Sequence, residues 1–150
     1  MKAVVQRVSS ASVSVNGEVV GSCGKGFVAL VAAHKDDTHE NAQKMADRIF
    51  GLRIFNDSEG KINCSLKELL ANSESVSVLA ISNFTVYGET AKNRRPSFFE
   101  SAPYELGQER FDQFVESLRE LGCPVETGVF GADMQVTLVN DGPVTVILGT

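Results

Sequence analysis

The sequence predicts a single α/β domain built on a mostly antiparallel, barrel-like sheet with two covering helices. Three observations carry that prediction. Alternating apolar residues fill both ends of the chain, a nearly continuous apolar run occupies 27–33, and two stretches, 37–51 and 111–121, switch to helical spacing. A length of 150 residues suits one domain and buries roughly two-thirds of the unfolded chain's surface. No repeat, linker or low-complexity segment divides it.

Val4 and Val8, with Gln6 between them, share one side of the first strand, and Val13 and Val15 then alternate with Ser12, Ser14 and Asn16. Asn16-Gly17 is the strongest hairpin signal in a short stretch, so 10–15 is expected to pair antiparallel with 18–22. The 27–33 run is apolar on both sides of the pleat, which predicts a central strand buried on both faces. From Asp37 to Gly51 the period lengthens, placing Ala42, Met45, Ala46, Ile49 and Phe50 on one helix face. Asp37 with Glu40 reads as its capping box and Gly51 as its stop.

Residues 52–55 add a short strand before the polar turn 56–60, and Leu66, Leu69 and Leu70 predict one or two helical turns. The β-branched stretch 76–82 is another inner strand, which leaves Ser82 to Thr85 at a strand's end. Two prolines bracket an irregular loop at 94–103. Phe111, Phe114, Val115, Leu118 and Leu121 mark the second amphipathic helix, ended by Gly122 and Pro124.

The tail, 130–150, holds two alternating runs joined at Asn140, Asp141, Gly142 and Pro143; Met134, Val136 and Leu138 face one way and Gln135, Thr137 and Val139 the other. Asp-Gly between such runs signals a tight hairpin, but the proline directly after it removes a ladder N–H, and an X-Pro bond is open to the cis form. The pair therefore reads either as a plain turn or as a rigid corner with a task.

Composition narrows the function classes. Hydrophobic residues at 43% and charged residues at 22% are those of an ordinary globular protein. No run approaches the about 18 apolar residues that span a bilayer, and the N-terminus has no basic stretch followed by a hydrophobic segment, so a cytoplasmic protein without a membrane partner is expected. Cys23, Cys64 and Cys123 are odd in number and lack a CxxC pair, which suggests free thiols. A net charge of −5 argues against coating DNA or RNA through bulk electrostatics; an RNA partner must be gripped locally, and DNA is not an expected one.

The usual catalytic sets are missing. His34 and His39 lie five apart, in a loop and the first turn of a helix, with no nucleophile paired to them, and the run His34, Lys35, Asp36, Asp37 reads as a solvated loop with a helix cap. No metal and no cofactor is assigned. None of the thirteen glycines forms GxSxG, GxGxxG or a Walker loop. An enzyme with this sequence must work by positioning and by fixed backbone dipoles.

The segment Ser82-Asn83-Phe84-Thr85-Val86-Tyr87-Gly88, the segment Arg94-Arg95-Pro96-Ser97-Phe98 and the ending Asn140-Asp141-Gly142-Pro143-Val144-Thr145 occur in one chain with the opening MKAVVQRVSSASVSVNGEVVG and LRIFND around Phe55. In order and spacing this closely resembles the D-aminoacyl-tRNA deacylase family, over the whole chain. The resemblance implies a sheet rolled into a partial barrel with two helices outside, acting as a homodimer on the 3′ end of aminoacylated tRNA. The family's Ser-Gln-Phe-Thr-Leu is matched by Ser82 to Val86, with Asn83 in place of glutamine and Val86 in place of leucine; Asn83 keeps the amide and shortens its reach by one methylene. Its Phe-Ala-Ala-Asp-Met is matched from Phe130 to Met134, with Gly131 in place of the first alanine.

The resemblance also implies roles. A cis Gly142-Pro143 bond would project from one subunit into the active site of the other, and its carbonyls would admit a substrate α-hydrogen but clash with an L side chain, so that D-amino acids and glycine pass. Thr85, Ser82 and Asn83 would position the ester beside Phe84, with the ribose 2′-hydroxyl of the tRNA taking part in the hydrolysis. Arg7 would brace the Gly-Pro corner. Phe130, Gly131, Ala132 and Met134 would receive the terminal nucleotide, small residues there leaving room for it. Lys92, Arg94 and Arg95, beside Pro96, form a basic patch suited to tRNA phosphates. Phe98 is suited to a base or, with Phe99, to the core.

Against these stand blander readings: Thr85 as a strand residue, Ser82 as a strand-terminal hydrogen bonder, Phe84 as core, Arg7 as a surface arginine and the basic patch as a solvated loop. The function expected is therefore hydrolysis of D-aminoacyl-tRNA, and of glycine mischarged on the alanine tRNA, with L-aminoacyl-tRNA spared. The alternatives are a related deacylase for a mischarged small L-amino acid and a non-catalytic RNA-binding barrel.

Overall fold

The computed structural model describes residues 1–91 and 94–150. In chain order the elements are β1 (Lys2–Val15), β2 (Glu18–Cys23), β3 (Gly26–Ala32), α1 (His39–Phe50), β4 (Phe55–Asn56), β5 (Ile62–Cys64), α2 (Leu66–Ala71), β6 (Ser77–Ser82), α3 (Tyr104–Glu120), β7 (Val125–Thr127) and β8 (Gln135–Gly149). A 3-10 turn, Phe84–Tyr87, follows β6.

β1 is the spine of the sheet. Its first half pairs with β3 and its second half with β2, while β8 runs antiparallel beside nearly all of it. The main order is β2-β1-β3-β6-β7, and β3–β6 and β6–β7 are parallel pairs within a sheet that is antiparallel elsewhere. Asn16 and Gly17, at φ 51° and 84°, make the tight turn between β1 and β2 that Asn-Gly predicts. The sheet curls until β2 meets β7: a Cβ at Gly21 would lie 2.4 Å from the Thr127 carbonyl oxygen, so only glycine permits that approach. The result is a nearly closed, barrel-like sheet.

Period-two alternation divides the apolar residues between two cores. Phe27, Ala29 and Val31 of β3 and Val78 and Ala80 of β6 face the helices, where they pack with Ala42, Met45, Ile49, Phe114 and Leu118. Val28 of β3 and Leu79 and Ile81 of β6 face the barrel interior with Val8, Ala11, Val13 and Cys23. This is the physical reason for the continuous apolar run in β3. Helices α1 and α3 cover the outer face; α2, six residues long with a Ser65–Glu68 capping box, is a third, shorter helix beyond the two covering ones.

Two local expectations change, and of the two readings of the tail the plain hairpin falls. The cap of α1 is Thr38 with Asn41, not Asp37 with Glu40. Asp37 is engaged elsewhere: its Oδ1 lies 2.7 Å from the Met1 α-ammonium and its Oδ2 accepts from His34 N–H at 2.5 Å. The short strand after α1 is β4, which begins only at Phe55, the last residue of the expected 52–55, where Phe55 can stack on Phe27 at 4.8 Å. The tail is not a hairpin either. Both alternating runs pair with β1 as one strand, and the register jumps from Gln6↔Thr145 to Val8↔Asn140, so residues 141–144 bulge out of the ladder.

Candidate functional site

A cavity of about 730 Å³ opens where the parallel strands β3 and β6 end, within the usual range of ligand pockets. The Asn83 N–H donates to the Val31 carbonyl at 2.8 Å, which carries the chain from β6 into the 3-10 turn at the cavity edge. Ser82, Asn83, Phe84 and Thr85 form one wall. Phe130, Gly131, Ala132 and Met134 form another, joined by Val136 and Leu138 from the inward side of β8. Segments about fifty residues apart in sequence thus share one site.

Asn83 organises its wall. Its Oδ1 accepts from the Thr85 N–H at 3.2 Å and from the Thr85 hydroxyl at 2.5 Å, so the amide caps the turn and the hydroxyl proton points at it. The shorter amide of asparagine is suited to this local bond. Phe84 is not core: it is 57% exposed and meets Phe98 edge-on at 5.1 Å. Ser101 Oγ donates to the Phe84 carbonyl at 2.9 Å, fixing the turn to the loop before α3. Phe98 and Phe99 are both exposed, not core anchors.

That loop is held by charge. His34 Nε2 lies 2.7 Å from Glu100 Oε2 and Lys35 Nζ 3.1 Å from Oε1, and the hydrogen bond from His34 holds the Glu100 carboxyl below the usual carboxylate range. The two ring nitrogens of His34 are engaged by Glu100 and by the Asp36 N–H, away from any nucleophile. Beneath the turn, burial first, then the Asp37 and Glu100 charges, push the Tyr87 phenol up to about 12.

Gly142 and Pro143 do not line this cavity. They form the exposed tip of the β8 bulge, with a cis bond between them. Arg7, 6% exposed, lies under the tip: Nε donates to the Asp141 carbonyl at 3.2 Å, and Nη1 to the Ile54 carbonyl at 2.6 Å and Asn56 Oδ1 at 3.1 Å. Asn140 Nδ2 closes the neck by donating to the carbonyls of Arg7 and Val144, both at 2.9 Å. Arg95 and Pro96 are exposed in the loop before Phe98 and do not line the cavity; Arg94 is exposed beside them, and Lys92 lies outside the described residues.

The space beside Gly131 is not open. A Cβ there would fall 2.5 Å from the Tyr104 hydroxyl oxygen and 2.8 Å from Cε2, so the room that glycine leaves is filled by that ring. Tyr104, Gly107 and Phe111, on one face of α3, complete the wall. The helical stripe expected from Phe111 onward thus starts earlier; its signal in the sequence is the spacing 104, 107, 111, obscured by a glycine in the middle. Asp133 is the one acidic side chain on the lining, and among the described residues no cluster of His, Cys, Asp and Glu is arranged to hold a metal. Among them, too, no helix is long and apolar enough to cross a membrane.

The profile of the family described as D-Tyr-tRNA(Tyr) deacylase matches residues 4–149. A D-aminoacyl-tRNA deacylase of Chlorobaculum tepidum is 52% identical over 149 residues, covering 99% of this chain and 96% of that protein. One from Geobacter sulfurreducens is 50% identical over 150 residues, covering 100% and 95%. Among solved structures, the c-Myc DNA Unwinding Element Binding Protein superposes with a TM-score of 0.90 at 36% identity over 100% of this chain and 99% of that one. A probable eukaryotic D-amino acid tRNA deacylase shares the fold at a TM-score of 0.83 and 18% identity, covering 99% and 98%. With half of its residues shared with such relatives along essentially its full length, the chain belongs to the D-Tyr-tRNA(Tyr) deacylase family.

Proposed function

We propose that the protein hydrolyses the ester between a D-amino acid and tRNA. Family membership makes it a hydrolase of the aminoacyl-tRNA bond. The observation that carries the rest is the cavity between Ser82–Thr85 and Phe130–Met134, which is largely apolar and has no histidine–nucleophile pair beside it. Such a site suits an ester brought in by its nucleic-acid end and held in place, with the ribose 2′-hydroxyl as the reacting neighbour. Thr85, with its proton directed to Asn83, offers lone pairs to that hydroxyl or to water; Asn83 fixes its place, and Ser82 stands beside it on the same wall.

Selection against L-amino acids is assigned to Gly142 and Pro143. In one chain the bulge stands away from its own cavity, exposed and braced by Arg7, so it meets substrate only if a second copy brings it there. Val139 and Ile147 flank the bulge on β8 at 56% and 75% exposure, an apolar face suited to that second copy. The carbonyls at the tip would face the substrate amino group and α-hydrogen, excluding an L side chain and admitting glycine, including glycine on the alanine tRNA. Arg94, Arg95 and Pro96 would touch the tRNA backbone outside the cavity. The working place is with the translation apparatus in the cytoplasm, and no cofactor is needed.

The test is paired deacylation of D-tyrosyl-tRNA and L-tyrosyl-tRNA by the purified protein and by Pro143→Ala, with sedimentation to determine the assembly. Rapid loss of the D ester alone, abolished or made unselective by the substitution, supports the reading. Cleavage of a small L ester instead points to the related specificity. Salt-dependent tRNA binding with cleavage of neither overturns the catalytic reading.

A further inference from the structure

The first two turns of α3 present Tyr104, Gly107 and Phe111 to the cavity along one helical face. Gly107 faces Phe130, whose Cζ would lie 3.6 Å from a Cβ at 107, an ordinary contact distance. Phe130 is half-buried there. Its ring meets Tyr104 at 5.1 Å and 81°, and Phe111 at 6.3 Å, so its surroundings are already aromatic. Tyr104 differs: it is 61% exposed while lining the same cavity.

Gly131 is what admits the phenol. At φ +74° it holds a backbone conformation that favours glycine, and a Cβ would strike the Tyr104 side chain at the hydroxyl oxygen and two ring carbons, all within 3.0 Å. The residue that departs from the family's Phe-Ala-Ala-Asp-Met pattern is therefore coupled to a residue 27 positions away on another element, and the pair reshapes the nucleotide side of the cavity. A base stacks only on an aromatic face that is free.

We propose that Tyr104 is a substrate-binding residue that stacks the heterocyclic base at the aminoacylated end of the RNA, with Phe130 as its buttress and not as the stacking surface. This rests on the deacylase reading above and refines the nucleotide contacts within it. Phe84, the other exposed aromatic on the lining, adjoins Asn83 and Thr85 at the ester end, which leaves Tyr104 for the base. Gly131 serves by making room for Tyr104.

The chain offers a direct readout, since it has no tryptophan and two tyrosines, of which Tyr87 is buried. Adenosine 5′-monophosphate is the probe. It quenches the tyrosine emission of the wild type, and in Tyr104→Phe it binds with similar affinity but without quenching. Tyr104→Leu raises its Kd, and the KM for D-tyrosyl-tRNA, about fivefold or more, with kcat changed less than about twofold. Gly131→Ala weakens binding in the wild type and weakens it less in Tyr104→Leu, where only the backbone strain of alanine at φ +74° is left. A Tyr104→Leu protein with unchanged Kd and KM overturns the stacking assignment while the wild type still hydrolyses D-tyrosyl-tRNA. A wild type that hydrolyses no D-tyrosyl-tRNA overturns the deacylase reading instead, and unchanged quenching in Tyr104→Phe overturns the assignment whatever the activity.

Discussion

Arg7 holds Asp141 twice, through Nε to the main-chain carbonyl at 3.2 Å and to the carboxylate Oδ2 at 3.1 Å. The two contacts differ in worth. The Arg7 side chain is 7% exposed and that of Asp141 56%, so the carboxylate is screened by water whereas the guanidinium is not. Nη1 also donates to the carbonyl of Ile54, a buried bond.

Arg7→Met is therefore expected to cost about 1–3 kcal/mol, because the carbonyls of Ile54 and Asp141 lose their donor inside the protein. Asp141→Asn is expected to cost less than about 1 kcal/mol. Urea midpoints of the two variants decide the matter. Equal losses would mean that the ion pair, not the carbonyl bonds, anchors the bulge.

Asn140 ties the neck of the same bulge, one amide spanning the carbonyls of Arg7 and Val144. Asn140→Ala is expected to lower stability by about 1 kcal/mol. On the proposed function it also lowers discrimination between D- and L-tyrosyl-tRNA, since the tip is no longer held. A variant with wild-type selectivity would show that the tip keeps its shape without the neck.

At the other wall, Asn83 directs the Thr85 hydroxyl. Asn83→Ala frees that hydroxyl to rotate and is expected to lower kcat/KM for D-tyrosyl-tRNA about tenfold or more, as misplacement in a positioning site does. Asn83→Gln keeps an amide with one more methylene and is expected to fall between. Rates for the two variants, with melting curves to exclude unfolding, provide the check; an Asn83→Ala enzyme as fast as the wild type would remove Asn83 from the positioning set.

What the sequence made legible was what depends on neighbours in the chain. The Asn16-Gly17 turn, the doubly buried β3 and the apolar faces of α1 and α3 follow from local period and turn chemistry. Three features depend on partners far along the chain. Asp37 lost its capping role to the α-ammonium of Met1, 36 residues away. The tail kept one alternation on both sides of Gly142, a pattern shared by a hairpin and by a bulge within one strand, and only the partner β1 distinguishes them. Gly131 looked like open space because Tyr104, which fills it, belongs to α3. The motif segments of the site were legible as residues; their convergence on the ends of β3 and β6 was not, because a parallel pair leaves no turn signature.

The cysteines offer an independent probe of burial. Cys23 and Cys123 are buried, and burial raises both thiols, whereas Cys64 is half-exposed. A thiol-reactive chromophore at neutral pH is expected to titrate one cysteine quickly in the native protein and the other two only as it unfolds. Cys64→Ser removes the fast phase. Two fast thiols would place Cys23 or Cys123 in a segment that opens locally.

The alkaline limit of the fold follows from Cys123 and Tyr87. Burial pushes the Cys123 thiol from 9.0 up to about 12, and burial with the Asp37 and Glu100 charges pushes the Tyr87 phenol from 10.0 up to about 12. Both groups stay neutral in the folded chain while the unfolded chain releases its protons at the ordinary values. The stability they contribute is therefore complete below about pH 9, declines as the unfolded thiol and then the unfolded phenol ionise, and is gone once the pH passes the folded values near 12. Between pH 9 and 10 the thiol alone is expected to remove about 1 kcal/mol. Urea midpoints measured under reducing conditions at pH 7.5, 9 and 10 should fall in the wild type over the last step. Cys123→Ala, which begins less stable because a packed sulfur is gone, should fall by less over that step. A wild-type midpoint that holds steady to pH 10 would mean that Cys123 ionises in place and that its surroundings admit water.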